Sequence, residues 1–163
     1  TTPALTYINL PGKTVKNTST GGLSAWELVA GKAINSVLPF QNQIMLSKAQ
    51  TVVISLGIGD SSTTTLANYS ASLQTMINLS RASGKRVIFV GENPTINPTS
   101  DQFAQAMRDV ATANGVPMID VYAHLQATIP AGQLLTFIPD GIHPNASTYK
   151  LIGEYINTQI NLL

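Results

Sequence analysis

Residues 140–145, with the sequence DGIHPN, are the part of the chain best suited to catalysis. A carboxylate lies three residues before a histidine, with a glycine between them and a proline after, so a tight turn can fold Asp140 onto the imidazole of His143. Such a contact fixes the histidine tautomer and stabilises the imidazolium that forms when the ring accepts a proton. The pattern predicts a general base, His143, with Asp140 as its orienting carboxylate. A helix-capping turn with an incidental histidine is the alternative interpretation.

The elements that must position this pair alternate regularly along the chain. Apolar, β-branched runs predict strands at residues 51–57, 86–90 and 117–121, with a fainter strand at residues 13–18. Apolar residues at helical spacing predict helices that begin near Leu66, Ser100 and Ser147. Gly84 and Gly115 stand where the first two of these helices should stop.

Alternating strands and helices, with strands that are apolar throughout, indicate an α/β fold with a mainly parallel sheet covered on both faces. The 163 residues suit one domain, so we take residues 1–163 as a single unit. Ligands bind at the carboxyl ends of the strands in such folds. This rule points to four candidate ligand-binding segments, residues 21–22, 57–62, 91–94 and 139–145.

The composition excludes several classes of function. Charged residues are only 10%, against roughly 25% in average soluble domains, while Ser, Thr, Asn and Gln make up 52 of 163 residues. A net charge of +1 provides no field to attract nucleic acid or an anionic membrane. With no cysteine and two histidines, we expect no metal and no cofactor. No apolar run is long enough to span a bilayer, and we expect a soluble chain whose signal peptide, if it had one, is already removed.

The order of motifs resembles the SGNH or GDSL hydrolase family of serine esterases and lipases. The last family block, DxxHP, is matched by Asp140, His143 and Pro144. The third block, a strand ending in LGxND, is similar to residues 56–60, and the second block is similar to residues 17–22. The resemblance covers essentially the whole chain from about Lys13. It implies a three-layer, flavodoxin-like fold, with His143 as base, Asp140 as orienter and the Gly22 N–H as an oxyanion donor.

The chain departs from the family pattern at the nucleophile. The family serine lies in a GDSxxxG block at the end of the first strand, well before the second block, and the 16 residues before Asn17 contain no serine. The resemblance therefore implies that the first strand is missing from this chain. We expect a second polypeptide segment to carry that strand and the nucleophile, unless residues 5–10 have taken the place of the strand.

A second departure is Gly59, at the position where the family carries an asparagine that binds the oxyanion. Gly59 offers only a backbone N–H, and Asn93 is a nearby candidate to replace the lost amide donor. In an alternative alignment, residues 59–61 spell GDS and Ser61 is the nucleophile. Only 82 residues then separate Ser61 from His143, so the spacing favours the third-block alignment, with Ser61 as a helix-capping hydroxyl.

These features predict a serine esterase that acts on carboxylic esters, with carbohydrate O-acetyl esters as the first substrate class to test. Low charge and a surface rich in Ser, Thr and Asn favour a secreted, extracellular or phage-tail protein. A catalytically inactive module of the same fold, for carbohydrate binding or structure, is the alternative. Glu92 with Asp60 could form a carboxylate pair for glycoside hydrolysis, but no spacing argument supports it.

Overall fold

A parallel three-stranded sheet lies at the centre of the molecule. The computed structural model describes residues 8–32 and 37–163. Its strands are β1 (Thr51–Ile54), β2 (Arg86–Val90) and β3 (Met118–Ile119), in the order β1-β2-β3. Ile54 pairs with Phe89, and Val90 pairs with Ile119. The predicted α/β fold with a parallel sheet is confirmed, although β1 and β3 are shorter than their apolar runs.

Eight helices lie within the described residues. They are α1 (Ala25–Ala30), α2 (Phe40–Leu46), α3 (Asp60–Thr63), α4 (Leu66–Ala82), α5 (Ser100–Asn114), α6 (Val121–Thr128), α7 (Leu134–Phe137) and α8 (Ala146–Ile160). The Thr65 side chain caps α4 and the Asn145 side chain caps α8. Gly115, at φ 57°, ends α5 in the left-handed conformation that glycine favours. None of these helices has the length and apolar character needed to cross a bilayer.

The helices cover both faces of the sheet, each with its own apolar core. On one face, Ile54 and Phe89 pack against residues of α4 and α5 such as Leu73, Met76 and Met107. On the other face, the core consists of residues from β2, β3, α6 and α8: Ile88, Val90, Ile119, Val121, Leu125, Ile152 and Ile156. The sheet is therefore the middle layer of three, as the sequence predicted.

The prediction of a strand at residues 13–18 is wrong. These residues form no strand and are exposed, and Val15 keeps 51% of its surface in contact with solvent. A single apolar side chain with no apolar face to pack against cannot compensate for the entropy cost of ordering a strand. The chain instead turns just before this segment, where the Lys13 N–H donates to the Leu10 carbonyl at 3.0 Å.

Residues 5–10 were the alternative candidate for the missing strand, and only residues 8–10 lie within the described part. Those three residues form no strand. Ile8 packs against the core beneath α8, and the Asn9 N–H donates to Asn157 Oδ1 at 2.7 Å. Residues 8–10 therefore lie beside α8 and not beside β1.

The β1 strand has an uncovered edge and an uncovered face. Its partner β2 lies on one side, and within the described residues no strand lies on the other. Val53 is 48% exposed, although its register partner Ile88 is only 2% exposed. Helix α8 and its core residues thus cover the β2 and β3 part of this face and leave β1 open.

Replacing Val53 with alanine should therefore cost little stability in this chain. Val87 offers a matched control, since it is 4% exposed on the neighbouring strand. We expect Val87→Ala to lower the free energy of unfolding by about 2 kcal/mol and Val53→Ala by less than about 0.5 kcal/mol. Urea denaturation of both variants measures the difference. Equal losses would mean that Val53 is covered in solution.

Candidate active site

The two residues of the predicted base and orienter pair are in contact. Asp140 Oδ2 lies 2.7 Å from His143 Nδ1. Both side chains are open to solvent, with 57% of Asp140 and 71% of His143 exposed. No described residue bonds to Nε2, which leaves that nitrogen free to exchange a proton with a substrate or nucleophile.

The second oxygen of Asp140 shapes the turn that holds the pair. Asp140 Oδ1 accepts hydrogen bonds from the backbone N–H groups of Ile142, at 2.9 Å, and His143, at 2.6 Å. Hydrogen bonds from the His143 backbone and ring, then from Ile142, hold the pKa of the Asp140 carboxyl well below its usual range. The carboxylate is therefore charged, as the orienter of a general base should be.

Asp60, the first residue of α3, is fully buried and links the segment after β1 to the start of α1. Both of its carboxylate oxygens lie 2.9 Å from the N–H of Ala25, the first residue of α1. Burial raises the pKa of Asp60 to about 6, while hydrogen bonds from backbone N–H groups oppose that change. Asp60 is thus turned into the fold and not into a cleft, which removes it from any carboxylate pair for glycoside hydrolysis.

Gly59 lies directly against the backbone of the segment that carries Gly22. A Cβ at position 59 would stand 2.6 Å from the Leu23 carbonyl oxygen. The backbone of Leu23 and Ser24 therefore fills the space that a side chain at position 59 would need, so the chain requires glycine here. The backbone N–H groups of Gly22 and Gly59 have no acceptor among the described residues, so both can donate to an oxyanion.

Asn93 does not offer the free amide that the sequence suggested. Its Nδ2 donates to the Pro94 carbonyl at 3.0 Å and to the Ile142 carbonyl at 3.0 Å. Both N–H bonds of the side-chain amide are used, because an asparagine amide has only two. Asn93 instead holds the residue immediately before His143.

Ser61, the alternative nucleophile, is bonded away from the histidine. Its Oγ donates to the Ile58 carbonyl at 2.8 Å and accepts from Asn97 Nδ2 at 3.0 Å. It lies within α3 and does not cap the following helix, whose cap is Thr65. Sequence interpretation missed Asn97, although Asn and Thr at residues 97 and 99 are typical of a hydrogen-bonded turn.

Glu92 follows β2 and is largely enclosed. Its Oε1 accepts a hydrogen bond from Ser55 Oγ at 3.2 Å. Burial raises the pKa of the Glu92 carboxyl to about 7. It lines a cavity of about 20 Å³, room for about one water molecule, together with Tyr69 and Tyr122. Within the described residues, no three acidic or histidine side chains come together as metal ligands do.

The arrangement agrees with the comparisons to known proteins. The GDSL-like Lipase/Acylhydrolase family model matches residues 4–151, which is most of the chain. The chain belongs to this family. Membership supports ester hydrolysis as the class of reaction, because the family is defined as lipases and acylhydrolases. A search of curated proteins found no match.

Several solved structures share the fold of this GDSL-family chain. A catalytic mutant of an acetylxylan esterase from Geobacillus stearothermophilus has a TM-score of 0.72 at 16% identity, covering 85% of this chain and 68% of that one. An acetyl esterase mutant with bound acetate has a TM-score of 0.67 at 19% identity, with coverages of 86% and 68%. A protein assigned as an acylhydrolase from Bacteroides fragilis has a TM-score of 0.69 at 17% identity, with coverages of 87% and 72%. At these identities the likeness establishes the fold.

Adding a side chain at position 59 should destabilise the GDSL-family fold. Gly59 has ordinary helical dihedral angles, so the only penalty for Gly59→Ala is the contact with the Leu23 carbonyl. We expect a loss of about 1–3 kcal/mol in the free energy of unfolding. Gly21→Ala is the control, because a Cβ at position 21 meets nothing within 4 Å. If Gly59→Ala is as stable as Gly21→Ala, the close approach of residues 21–24 is wrong.

The buried Asp60 and the partly buried Glu92 should make the folded chain less stable as the pH rises. The pKa values of Asp60 and Glu92 are raised, from 3.8 to about 6 and from 4.5 to about 7, so the folded chain binds protons more tightly than the unfolded chain. Stability therefore declines as the pH rises from about 4 to about 7. The Asp140 carboxyl stays ionised across this range because its pKa is lowered.

The melting temperature at pH 7.5 should therefore lie below that at pH 5, by an amount on the order of 5 °C. Glu92→Gln should reduce this difference, because the amide does not titrate. Glu154→Gln is the control, since the Glu154 side chain is exposed and forms a surface ion pair with Lys150 at 3.8 Å. Thermal unfolding followed by circular dichroism at both pH values measures the effect. Equal differences in the wild type and Glu92→Gln would show that Glu92 does not cause it.

Proposed function

We propose that this chain forms most of a serine esterase that hydrolyses carboxylic esters through an acyl-enzyme. One observation carries the proposal: the 2.7 Å contact between Asp140 and His143 Nδ1, with Nε2 free and the ring exposed. The pair lies beyond the carboxyl ends of a parallel sheet, where ligands bind in folds of this kind. Membership of an acylhydrolase family agrees with that chemistry.

In this mechanism His143 acts first as base and then as acid. Its Nε2 accepts the proton of a serine hydroxyl while the serine oxygen attacks the ester carbonyl. Asp140 holds the ring by Nδ1 and stabilises the imidazolium. The proton then passes from Nε2 to the leaving alcohol as the C–O bond of the ester breaks. Water, activated by His143, attacks the acyl-enzyme and releases the acid and the free serine.

The nucleophile in this proposal is a serine supplied from outside this chain. Two observations support that origin. No serine among the described residues bonds to His143, and Ser61 donates to Ile58. The edge of β1 is unpaired and Val53 is exposed, so a parallel strand with a small apolar element could complete the sheet there. The carboxyl end of such a strand would meet the loop that follows β1.

The backbone N–H groups of Gly22 and Gly59 would bind the oxyanion. Both lack an acceptor among the described residues, and their segments touch through Leu23. The family pattern adds a side-chain amide to the backbone donors. Removing one oxyanion donor from comparable enzymes costs about 3–4 kcal/mol of transition-state stabilisation, so two backbone donors alone bind the oxyanion more weakly. We therefore expect slow turnover compared with an enzyme that has all three donors.

Acylated carbohydrates are the proposed substrates. The exposure of His143 and Asp140 suits a bulky, polymeric alcohol, which must reach the site without threading into a pocket. The acetylxylan esterase among the structural relatives acts on a substrate of this class. The low charge and the many Ser, Thr and Asn residues favour a secreted protein, including one from a phage tail.

An inactive module for carbohydrate binding or structure is the second candidate function. The observation that favours it is Gly59, since position 59 cannot carry an amide without displacing Leu23. The Asn93 amide also favours the inactive module, because both of its N–H groups already donate to carbonyl groups and neither is available for an oxyanion. The charged and oriented Asp140, which an inactive module does not need, favours the enzyme.

Covalent labelling of the native material separates the two functions. We expect a fluorophosphonate to label a serine outside residues 1–163 and His143→Ala to abolish the label, because a serine hydroxyl is a poor nucleophile without its base. His124→Ala is the control, since His124 stacks on Tyr155 at 3.9 Å and takes no part in the mechanism. Intact mass and peptide mapping locate the label. Hydrolysis of a short-chain nitrophenyl ester should fall at least about 100-fold in His143→Ala and little in His124→Ala.

Two outcomes would contradict the proposal. A label on Ser61 would identify the nucleophile within this chain and restore the alternative alignment. Material of verified mass that neither accepts the label nor hydrolyses the nitrophenyl ester would favour the binding module. For active material, the rate of acetate release from acetylated xylooligosaccharides is compared with the rate of nitrophenyl ester hydrolysis. A higher rate on the oligosaccharides supports the proposed preference for acylated carbohydrates.

A further inference from the structure

The exposed catalytic pair requires support from the rest of the fold. Asp140 and His143 are more than half exposed, so packing alone does not fix them. The hydrogen bonds of Asp140 stay within the 140–143 loop and shape it without attaching it to the sheet. The contacts that attach this loop to β2 therefore determine where the imidazole lies.

Asn93 makes the first of these attachments. It lies three residues beyond the end of β2, is only 9% exposed, and bonds the Ile142 carbonyl at 3.0 Å. The Ile142 carbonyl belongs to the peptide group that leads into His143. The same amide also donates to the Pro94 carbonyl at 3.0 Å, which fixes the orientation of the Asn93 side chain. A buried amide with both N–H groups bonded has little freedom to move.

Ile96 makes a second attachment next to the first. Its N–H donates to the Gly141 carbonyl at 2.9 Å. Its side chain lies over Gly141, where a Cβ would be 2.6 Å from Ile96 carbon atoms. Gly141 has a φ of 79°, so its backbone also favours glycine. Residues 93–96 thus hold two successive peptide groups of the 140–143 loop.

We propose that Asn93 is a positioning residue, whose side-chain amide holds the His143 loop on the end of the central strand. The contact between Asn93 and the Ile142 carbonyl is independent of the proposed function. Only its expected effect on catalysis rests on that function. The amide is the one side-chain donor among the described residues that bonds the 140–143 backbone from outside the loop. An aspartate in its place would put a carboxylate oxygen against the Ile142 carbonyl and reverse the contact from attraction to repulsion.

Proton NMR tests the attachment without relying on catalysis. In the wild type, His143 Nδ1–H should give a low-field resonance because it donates to Asp140, and Asp140→Asn serves to assign that signal. In Asn93→Asp we expect this resonance to broaden or vanish and the His143 backbone amide to exchange at least about tenfold faster. The β2 amides should keep their protection, which separates loss of positioning from loss of the fold.

Asn114→Asp is the matched control. Asn114 Nδ2 also makes two bonds, to Gln74 Oε1 at 2.8 Å and to the Val110 carbonyl at 2.9 Å, but it lies in α5, away from the loop. It should leave the His143 signals unchanged. If Asn93→Asp does not fold, Asn93→Ala removes the donor without adding charge and should show the same loss of the low-field resonance.

Kinetics on the native material then tests the catalytic consequence. Asn93→Asp should lower kcat at least about tenfold with KM changed less than about twofold, because the amide acts on the base and not on the bound ester. An unchanged His143 resonance and amide exchange rate in both Asn93 variants would overturn the positioning role. Altered His143 signals in material that hydrolyses no ester would uphold that role and reject the proposed esterase.

Discussion

The position of residues 21–25 at the end of β1 depends on the bond between the buried Asp60 carboxyl group and the first N–H of α1. Asp60 has no solvent exposure, and its oxygens lie 2.9 Å from the Ala25 N–H. A buried carboxyl group is costly unless it is hydrogen-bonded, so this contact determines how residues 21–25 approach the end of β1. Gly59 permits the approach, since any Cβ would meet Leu23. This packing brings the segments that carry Gly22 and Gly59 into contact through Leu23.

Much of the fold could be predicted from the sequence because its core strands and helices are encoded locally. Residues 87–90 are buried on both faces, so their continuous β-branched and apolar side chains identify β2 without ambiguity. The same rule failed at residues 13–18, where Val15 is exposed. Whether a short apolar run becomes a strand depends on a partner in space, and local sequence does not contain that information.

The candidate site was predictable to a different degree at each residue. Asp140 and His143 are three residues apart, so their contact follows from one turn and was visible in the sequence. The role of Asn93 depends on the Ile142 carbonyl 49 residues away, which no local pattern could reveal. The same is true of Asp60, whose partner Ala25 lies 35 residues earlier. From the sequence, Gly59 only marks the absence of a side-chain amide donor. In the fold, a glycine is needed there because a Cβ would meet the Leu23 carbonyl oxygen.

Because Asp140 and His143 are exposed, their contact adds little to the stability of the fold. Exposed ion pairs contribute roughly 0–1 kcal/mol to stability, so the fold gains little from the contact between Oδ2 and Nδ1. The turn needs only Oδ1, which accepts the Ile142 and His143 N–H groups. An asparagine would retain that oxygen and thus the turn, but it would lose the charge that the imidazolium requires. The carboxylate and the ring at positions 140 and 143 are therefore not needed for the stability of the loop, whereas the proposed proton transfer at Nε2 requires both.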